Sequence, residues 1–164
     1  MMSIHNRMKC YLVVVALVFF SPAVMLGAEK EDGIKETVVR YNQALIESAR
    51  TGKTATLEPL ATKKIVTKTY AWIHSWQDSN LYMRAKLNKL KFEEIRVDNN
   101  ASMVRTYEEW SYDYYDAENK KDAMPTTQVV YQMKYTLYPH QKRWIINDVK
   151  VINEKSTPLE KAKK

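Results

Sequence analysis

The first apolar pattern along the chain repeats every three to four residues, which predicts helices. A long helix is expected after Asp32, a suitable N-cap, and Gly52 suits the left-handed position that ends it. Its buried face is formed by Ile34, Val38, Tyr41, Leu45 and Ala49. A short helical turn at residues 57–61 and a second long helix over residues 63–78 follow. The apolar side of that second helix carries Ile65, Thr69, Trp72, Ile73 and Trp76.

From about residue 81 the repeat changes to two residues, which is typical of strands. Leu90 and Phe92 alternate with lysines, and Ile95 and Val97 continue on the opposite parity. This switch predicts a bulge at residues 93–94. Further strands are expected over residues 102–115, 128–137 and 144–152, with turns at 98–100 and 139–142 and a polar loop at 116–123.

The order of elements indicates an α+β fold, because helices come first and antiparallel strands joined by short turns follow. We expect two to three N-terminal helices packed on the concave face of a strongly bent antiparallel sheet of three to four strands. Neither βαβ alternation nor an internal repeat is found in the sequence.

The N-terminus has the layout of an export signal. Arg7 and Lys9 precede an almost wholly apolar run over residues 11–26, and small residues follow it. The run is shorter than the roughly 20 residues that span a bilayer, and Pro22 interrupts it. We therefore predict that residues 1–28 are a secretory signal and that the protein is periplasmic or secreted. A short uncleaved membrane anchor is the alternative.

Composition restricts the chemistry of the remaining chain. The one cysteine, Cys10, lies in the segment predicted to be lost, so neither a disulfide nor a thiol is expected in the mature domain. The net charge of +7 is spread along the chain, and export makes nucleic acid an unsuitable partner. The three histidines have no metal-ligand spacing, so no metal and no cofactor are predicted. One domain over residues 29–154 and a basic disordered tail over 155–164 are expected.

The element order resembles the nuclear transport factor 2-like superfamily, a cone-shaped α+β fold shared with ketosteroid isomerases and limonene-epoxide hydrolases. The resemblance covers roughly residues 34–153. It rests on an opening helix with Tyr41, an aromatic second helix, long strands and a final strand led by Trp144. It implies a curved sheet wrapped around a helix, with a pocket or a flat dimer surface. It implies no single chemistry, because this fold hosts enzymes, ligand binders and secretion-system scaffolds.

Aromatic side chains supply the candidate binding residues. Those expected to line a ligand pocket are Tyr41, Trp72, Trp76, Tyr107 and Tyr131. Residues 110–115 carry aromatic side chains on both faces of one strand, although only one face can meet the helices. An exposed interface for a partner protein or a homodimer is therefore predicted at Trp110, Tyr112 and Tyr114. For the pocket residues, the favoured alternative is that the rings only fill the core.

Asp148 and His74 are the best available acid–base pair, although both are weak catalytic candidates. Asp148 shares its parity with Trp144 and Ile146, and burial in an apolar cone raises the pKa of a carboxylate towards neutrality. The favoured alternative is that Asp148 pairs with a neighbouring lysine or hydrogen-bonds a loop amide. Glu108, in the strand over residues 102–115, is interpreted as one of several acids among alternating polar positions.

We therefore expect a non-catalytic extracytoplasmic module that binds a partner protein or a small apolar ligand. Binding would use the cone pocket or the exposed aromatic face of the sheet. One alternative is a small enzyme of isomerase, dehydratase or hydrolase type with the same fold. Another is a membrane-anchored assembly component of an envelope or secretion machine, which requires an uncleaved N-terminal segment.

Overall fold

The computed structural model describes residues 22–98 and 100–158, with side chains between residues 29 and 157. Residues 1–21 of the predicted signal, which covers residues 1–28, therefore lie outside the described residues. The two helices are α1 (Pro22–Thr51) and α2 (Lys63–Gln77), and a 3-10 turn (Ala55–Leu57) lies between them. The five strands are β1 (Leu81–Val97), β2 (Ser102–Asp116), β3 (Lys121–Asp122), β4 (Thr127–His140) and β5 (Arg143–Pro158).

Helix α1 begins at Pro22, earlier than the predicted start at Asp32. Proline is tolerated in a first helical turn because its fixed φ already matches the helix. At the other end Gly52 has φ 77°, which confirms the predicted left-handed ending. Ile34, Val38 and Tyr41 are buried, as the 3.6-residue pattern predicts. No helix in the described part of the chain is long and apolar enough to cross a membrane.

The sheet differs from the prediction. Its antiparallel strands follow the order β1-β2-β4-β5, and β3 pairs with the end of β2. The expectation of a strongly bent sheet with three to four strands is wrong, because there are five strands in the described residues. The fifth was hidden in the polar loop at 116–123, where two residues are too few to show a period. Lys120, with φ 53°, turns the chain back so that Lys121 and Asp122 pair with β2.

Irregularities lie in the outer strands rather than in the middle of the sheet. The register of β1 shifts between Phe92 and Glu94, which confirms the predicted bulge, and shifts again between Leu87 and Lys89. In contrast, β2 and β4 pair without interruption over eleven successive positions. The register shifts are therefore confined to the pairings of the two outer strands, β1 and β5.

Strand β5 carries two further irregularities that decide which side chains face the helices. Asn147 and Ile152 have no partner in the register with β4. Each extra residue reverses the alternation, so residues beyond it change faces. The strand also continues to Pro158, past the predicted domain end at residue 154, and residues 159–164 of the predicted tail lie outside the described residues.

The helices and the 3-10 turn pack on one face of the sheet. The main core joins the first helix and the turn to β2, β4 and β5, and its fully buried members are Ile34, Val38, Leu57, Val104, Leu137 and Ile146. A smaller cluster of Ala49, Met83 and Tyr114 joins the end of α1 to β1 and β2. Members of both clusters contribute to the cavity described next.

Candidate functional site

A cavity of about 360 Å³ lies between the helices and the inner face of the sheet. Its volume falls within the roughly 300–1,000 Å³ of typical ligand sites. Apolar and aromatic side chains form most of the wall. The aromatic members are Tyr41, Trp72, Trp76, Trp110, Tyr112, Tyr114, Tyr131 and Tyr135. Such a wall favours a ligand with a largely apolar or aromatic body.

A carboxylate, that of Glu108, is buried in this wall and is only 1% exposed. Strand alternation places Thr106, Glu108 and Trp110 on the inner face of β2. Glu108 Oε1 accepts hydrogen bonds from Thr106 Oγ1 at 2.7 Å and from Tyr135 Oη at 2.7 Å, with Asn42 Nδ2 more distant at 3.5 Å. Glu108 Oε2 accepts one from Trp110 Nε1 at 2.8 Å. Buried polar groups need such partners, and this carboxylate has them.

The network joins three elements, because Asn42 belongs to α1, Glu108 to β2 and Tyr135 to β4. Burial, and then the charge of Glu108, raises the pKa of Tyr135 well above its ordinary value. Tyr135 therefore remains a hydrogen-bond donor over the whole physiological range. Its ring meets that of Tyr41 edge to face, with centroids 6.2 Å apart. The hydroxyl and ring of Tyr135 together hold the carboxylate in place.

The opposite part of the wall is made of stacked rings. The Trp76 and Tyr114 centroids are 4.7 Å apart, and Tyr112 meets Tyr114 edge to face at 6.1 Å. Burial raises the pKa of Tyr114 to about 12, and burial with the charge of Glu154 raises that of Tyr131 to about 12. These phenols are neutral at physiological pH, so this part of the wall carries no charge of its own.

Four of the five predicted pocket residues line the cavity: Tyr41, Trp72, Trp76 and Tyr131. Trp72 is 41% exposed, so it lies at the rim rather than in the core. Tyr107 points to the other face of β2, where its hydroxyl donates to Glu109 Oε1 at 2.9 Å. The odd-numbered parity of Tyr107 explains this placement, since the helices cover the even-numbered side chains of β2.

The three residues predicted to form an exposed interface line the cavity instead. Trp110 is 8% and Tyr114 is 6% exposed, and Tyr112 is partly buried. All three are even-numbered residues of β2, whose side chains face the helices. The exposed face of this strand carries the odd-numbered residues instead. On that face the Arg84 guanidinium lies over the Tyr115 ring, 5.7 Å from its centroid.

Neither catalytic candidate lines the cavity. Asp148 pairs with Lys150 at 3.4 Å, as the favoured alternative predicts, and the unpaired Asn147 puts it on the face opposite Ile146. His74 stacks on Tyr70, with ring centroids 4.0 Å apart. The acid that is buried is Glu108, which the sequence analysis interpreted as one of several acids at alternating polar positions. Its even parity, shared with the apolar positions of the same strand, was the signal that could have identified it.

Comparisons with known proteins address the fold. No protein-family model matches the chain, and no curated protein matches it. The crystal structure of the intermembrane-space region of the chloroplast protein ARC6 is similar, with TM-score 0.62 and 15% identity over 72% of this chain and 92% of that one. A conserved protein from Planctomyces limnophilus has TM-score 0.48 and 14% identity over 76% and 99% of the two chains. The Kfla4162 protein from Kribbella flavida has TM-score 0.49 and 9% identity over 79% and 95%. At such identities the likeness to the ARC6 domain is a likeness of fold alone.

Proposed function

We propose that this protein is a non-catalytic extracytoplasmic binding protein whose cavity holds a small, mainly apolar ligand. The observation that carries the proposal is the aromatic cavity of about 360 Å³ beside the covered face of the sheet. A well-formed apolar pocket with a few convergent polar groups is the usual form of a ligand site. The pocket also fits the kind of cavity that a nuclear transport factor 2-like relationship implies, and that relationship is part of the proposal.

The extracytoplasmic part of the proposal rests on the N-terminal sequence. A positive start, an apolar run and small residues before Glu29 form the order read by export machinery. The similar ARC6 domain is named for an intermembrane space, and this agrees with a location outside the cytoplasm. Periplasmic or secreted protein should begin near Glu29 and be soluble without detergent. Recovery of the full-length chain only with membranes would favour the anchored assembly component instead.

Pocket filling tests the binding function. Ala85 lines the cavity, so Ala85→Trp places an indole in the space that a ligand would use. Ala71 lies on the exposed side of α2, and Ala71→Trp is the matched control. Saturation-transfer NMR with 2-(1-naphthyl)ethanol should detect binding to the wild type and to Ala71→Trp. Loss of the signal in Ala85→Trp alone supports the cavity as the site, whereas equal signals in all three proteins would contradict it.

A small enzyme is the second candidate, and the position of Glu108 favours it. A buried carboxyl group in a cavity wall can accept a proton when ionised and donate one when protonated during catalysis. Glu108→Gln keeps the side-chain shape and removes the charge. If the wild type converts a ligand that it binds, and Glu108→Gln binds that ligand without converting it, the enzyme interpretation replaces the binding one.

A further inference from the structure

The charge inside the cavity is opposite to the charge of the protein. The chain contains 26 lysines and arginines against 19 acids. Yet among the described residues that line the cavity, Glu108 is the one side chain with a carboxylate, ammonium, guanidinium or imidazole group. A basic protein therefore keeps a single acid in an aromatic cavity.

The donors that hold this carboxylate are all neutral. The hydroxyls of Thr106 and Tyr135, the indole of Trp110 and the amide of Asn42 supply the hydrogen bonds found among the described residues. The basic residue of β2, Arg105, pairs elsewhere, since its guanidinium contacts Glu94 at 3.2 Å on the outer face of the sheet. A buried charge is costly unless a charge of opposite sign balances it, and here the described chain does not supply one.

The two oxygens of the carboxylate are unequally occupied. Oε1 of Glu108 receives two hydrogen bonds of 2.7 Å and a third of 3.5 Å, whereas Oε2 receives one, from Trp110. An ionised carboxylate has about four acceptor sites, about two on each oxygen. Oε2 therefore has capacity for one more donor, and its present donor, Trp110, is itself part of the cavity wall.

The surrounding wall suits a cation as well as an apolar body. The faces of aromatic rings attract cations, most strongly where water is excluded. The wall includes Tyr112 on β2, which is the strand of Glu108, Tyr131 on the neighbouring strand β4, and Trp76 on α2. In addition, Glu154 lies directly opposite Tyr131 in the β4–β5 register, and its charge acts on that phenol. A second negative group is therefore paired with this wall residue, although Glu154 does not itself line the cavity.

We propose, building on the binding function above, that the cavity selects a ligand with an apolar or aromatic body and a cationic amine. The amine donates to Oε2 of Glu108 and supplies the missing positive charge, while the body packs among the rings. A neutral hydroxyl in the same place would satisfy the hydrogen bond but not the charge. An anionic group would be repelled by Glu108.

Three probes of matched shape test this selectivity: 2-(1-naphthyl)ethylamine, 2-(1-naphthyl)ethanol and 1-naphthylacetate. Dissociation constants are measured by calorimetry with the exported wild-type protein. A charge-assisted hydrogen bond and cation–π contact predict that the amine binds about tenfold more tightly than the alcohol or better. The acetate should bind more weakly than both. Equal affinities of amine and alcohol in the wild type would overturn the proposal without any variant.

Two variants then assign the effect to the cavity. Glu108→Gln should reduce the amine-to-alcohol preference to about one and leave the alcohol affinity nearly unchanged. Glu58→Gln, at an exposed acid that does not line the cavity, should keep the full preference. A preference that survives Glu108→Gln contradicts the proposal. If Glu108→Gln does not fold, Ala85→Trp serves in its place, and amine binding that persists in that variant contradicts it equally.

The outcomes of these experiments distinguish a failure of the proposed binding function from a failure of the proposed cationic ligand class. If the alcohol binds in an Ala85→Trp-sensitive way but the amine has no advantage, the binding function stands and the cationic ligand class is wrong. If none of the three probes binds, both proposals are wrong.

Discussion

Removal of one hydroxyl should reveal how much the buried network contributes to stability. Tyr135→Phe deletes the 2.7 Å hydrogen bond from the phenol to Glu108 Oε1 and keeps the ring in the core. A hydrogen bond to a charged group contributes about 1.5–3 kcal/mol. Glu108 retains Thr106 and Trp110 as close donors, so a loss of about 2 kcal/mol in the free energy of unfolding is expected. For a domain of this size, that corresponds to a fall in Tm of about 8 °C.

The assay is urea unfolding followed by circular dichroism, with an unchanged m-value as the sign that only stability has changed. Tyr138→Phe is the matched control, because Tyr138 lies in the same strand and is 41% exposed. It should change stability by less than about 0.5 kcal/mol. Equal, small losses in both variants would refute the claim that Glu108 is a buried charge held by Tyr135.

A double-mutant cycle sharpens this test. Thr106 Oγ1 donates to the same oxygen at 2.7 Å, so Thr106→Val together with Tyr135→Phe leaves Oε1 with the 3.5 Å contact from Asn42 alone. The double loss should exceed the sum of the single losses by more than about 0.5 kcal/mol, as expected for groups that share one partner. Strict additivity would mean that the two hydroxyls act independently.

Three further predictions concern the helices and the cavity wall. Trp72→Ala should lower the free energy of unfolding by less than about 1 kcal/mol, because Trp72 is 41% exposed. Ile73 is only 3% exposed, so Ile73→Ala should lower it by about 2–5 kcal/mol in the same urea assay. The reverse order would mean that α2 is rotated. Gly52→Ala should lose about 1 kcal/mol or more in thermal unfolding, because φ is 77° and the added Cβ would meet the Gln77 side chain; a neutral effect would contradict the left-handed helix end. The pKa of Tyr131 is raised to about 12, so the unfolded chain ionises this phenol at a lower pH than the folded protein does. The stability contribution of Tyr131 should therefore be complete below about pH 10 and be lost as the pH rises to 12. Ultraviolet titration of Tyr131→Phe should lack one late-ionising phenol, and a titration curve equal to that of the wild type would refute the shift.

Local patterns in the sequence predicted the helices and most strand positions, because period and turn chemistry are properties of neighbouring residues. The left-handed ending at Gly52 and the bulge at residues 93–94 are of this kind. The two-residue strand β3 could not be predicted in this way, since it forms only by pairing with β2. The prediction for the sheet as a whole was likewise wrong, because the form of a sheet depends on how its strands pair and where bulges occur among them.

Only part of the cavity wall could be predicted from the sequence, for a related reason. Aromatic residues on the helices and on β4 were recognised, but the choice between the two faces of β2 depends on which one the helices cover. Once that face is known, the even-numbered residues Glu108, Trp110 and Tyr114 turn inward together. Asp148 failed as a candidate because the unpaired Asn147 reverses the alternation of β5, and single-residue bulges leave little trace in sequence.

A crystal structure of the protein soaked with 2-(1-naphthyl)ethylamine is the decisive test of the cationic-ligand site. We expect the naphthyl ring inside the aromatic cavity, with the amine nitrogen at about 2.7–2.9 Å from Oε2 of Glu108. A cavity collapsed around Trp72 and Trp76, or a ligand bound only elsewhere on the surface, would contradict it.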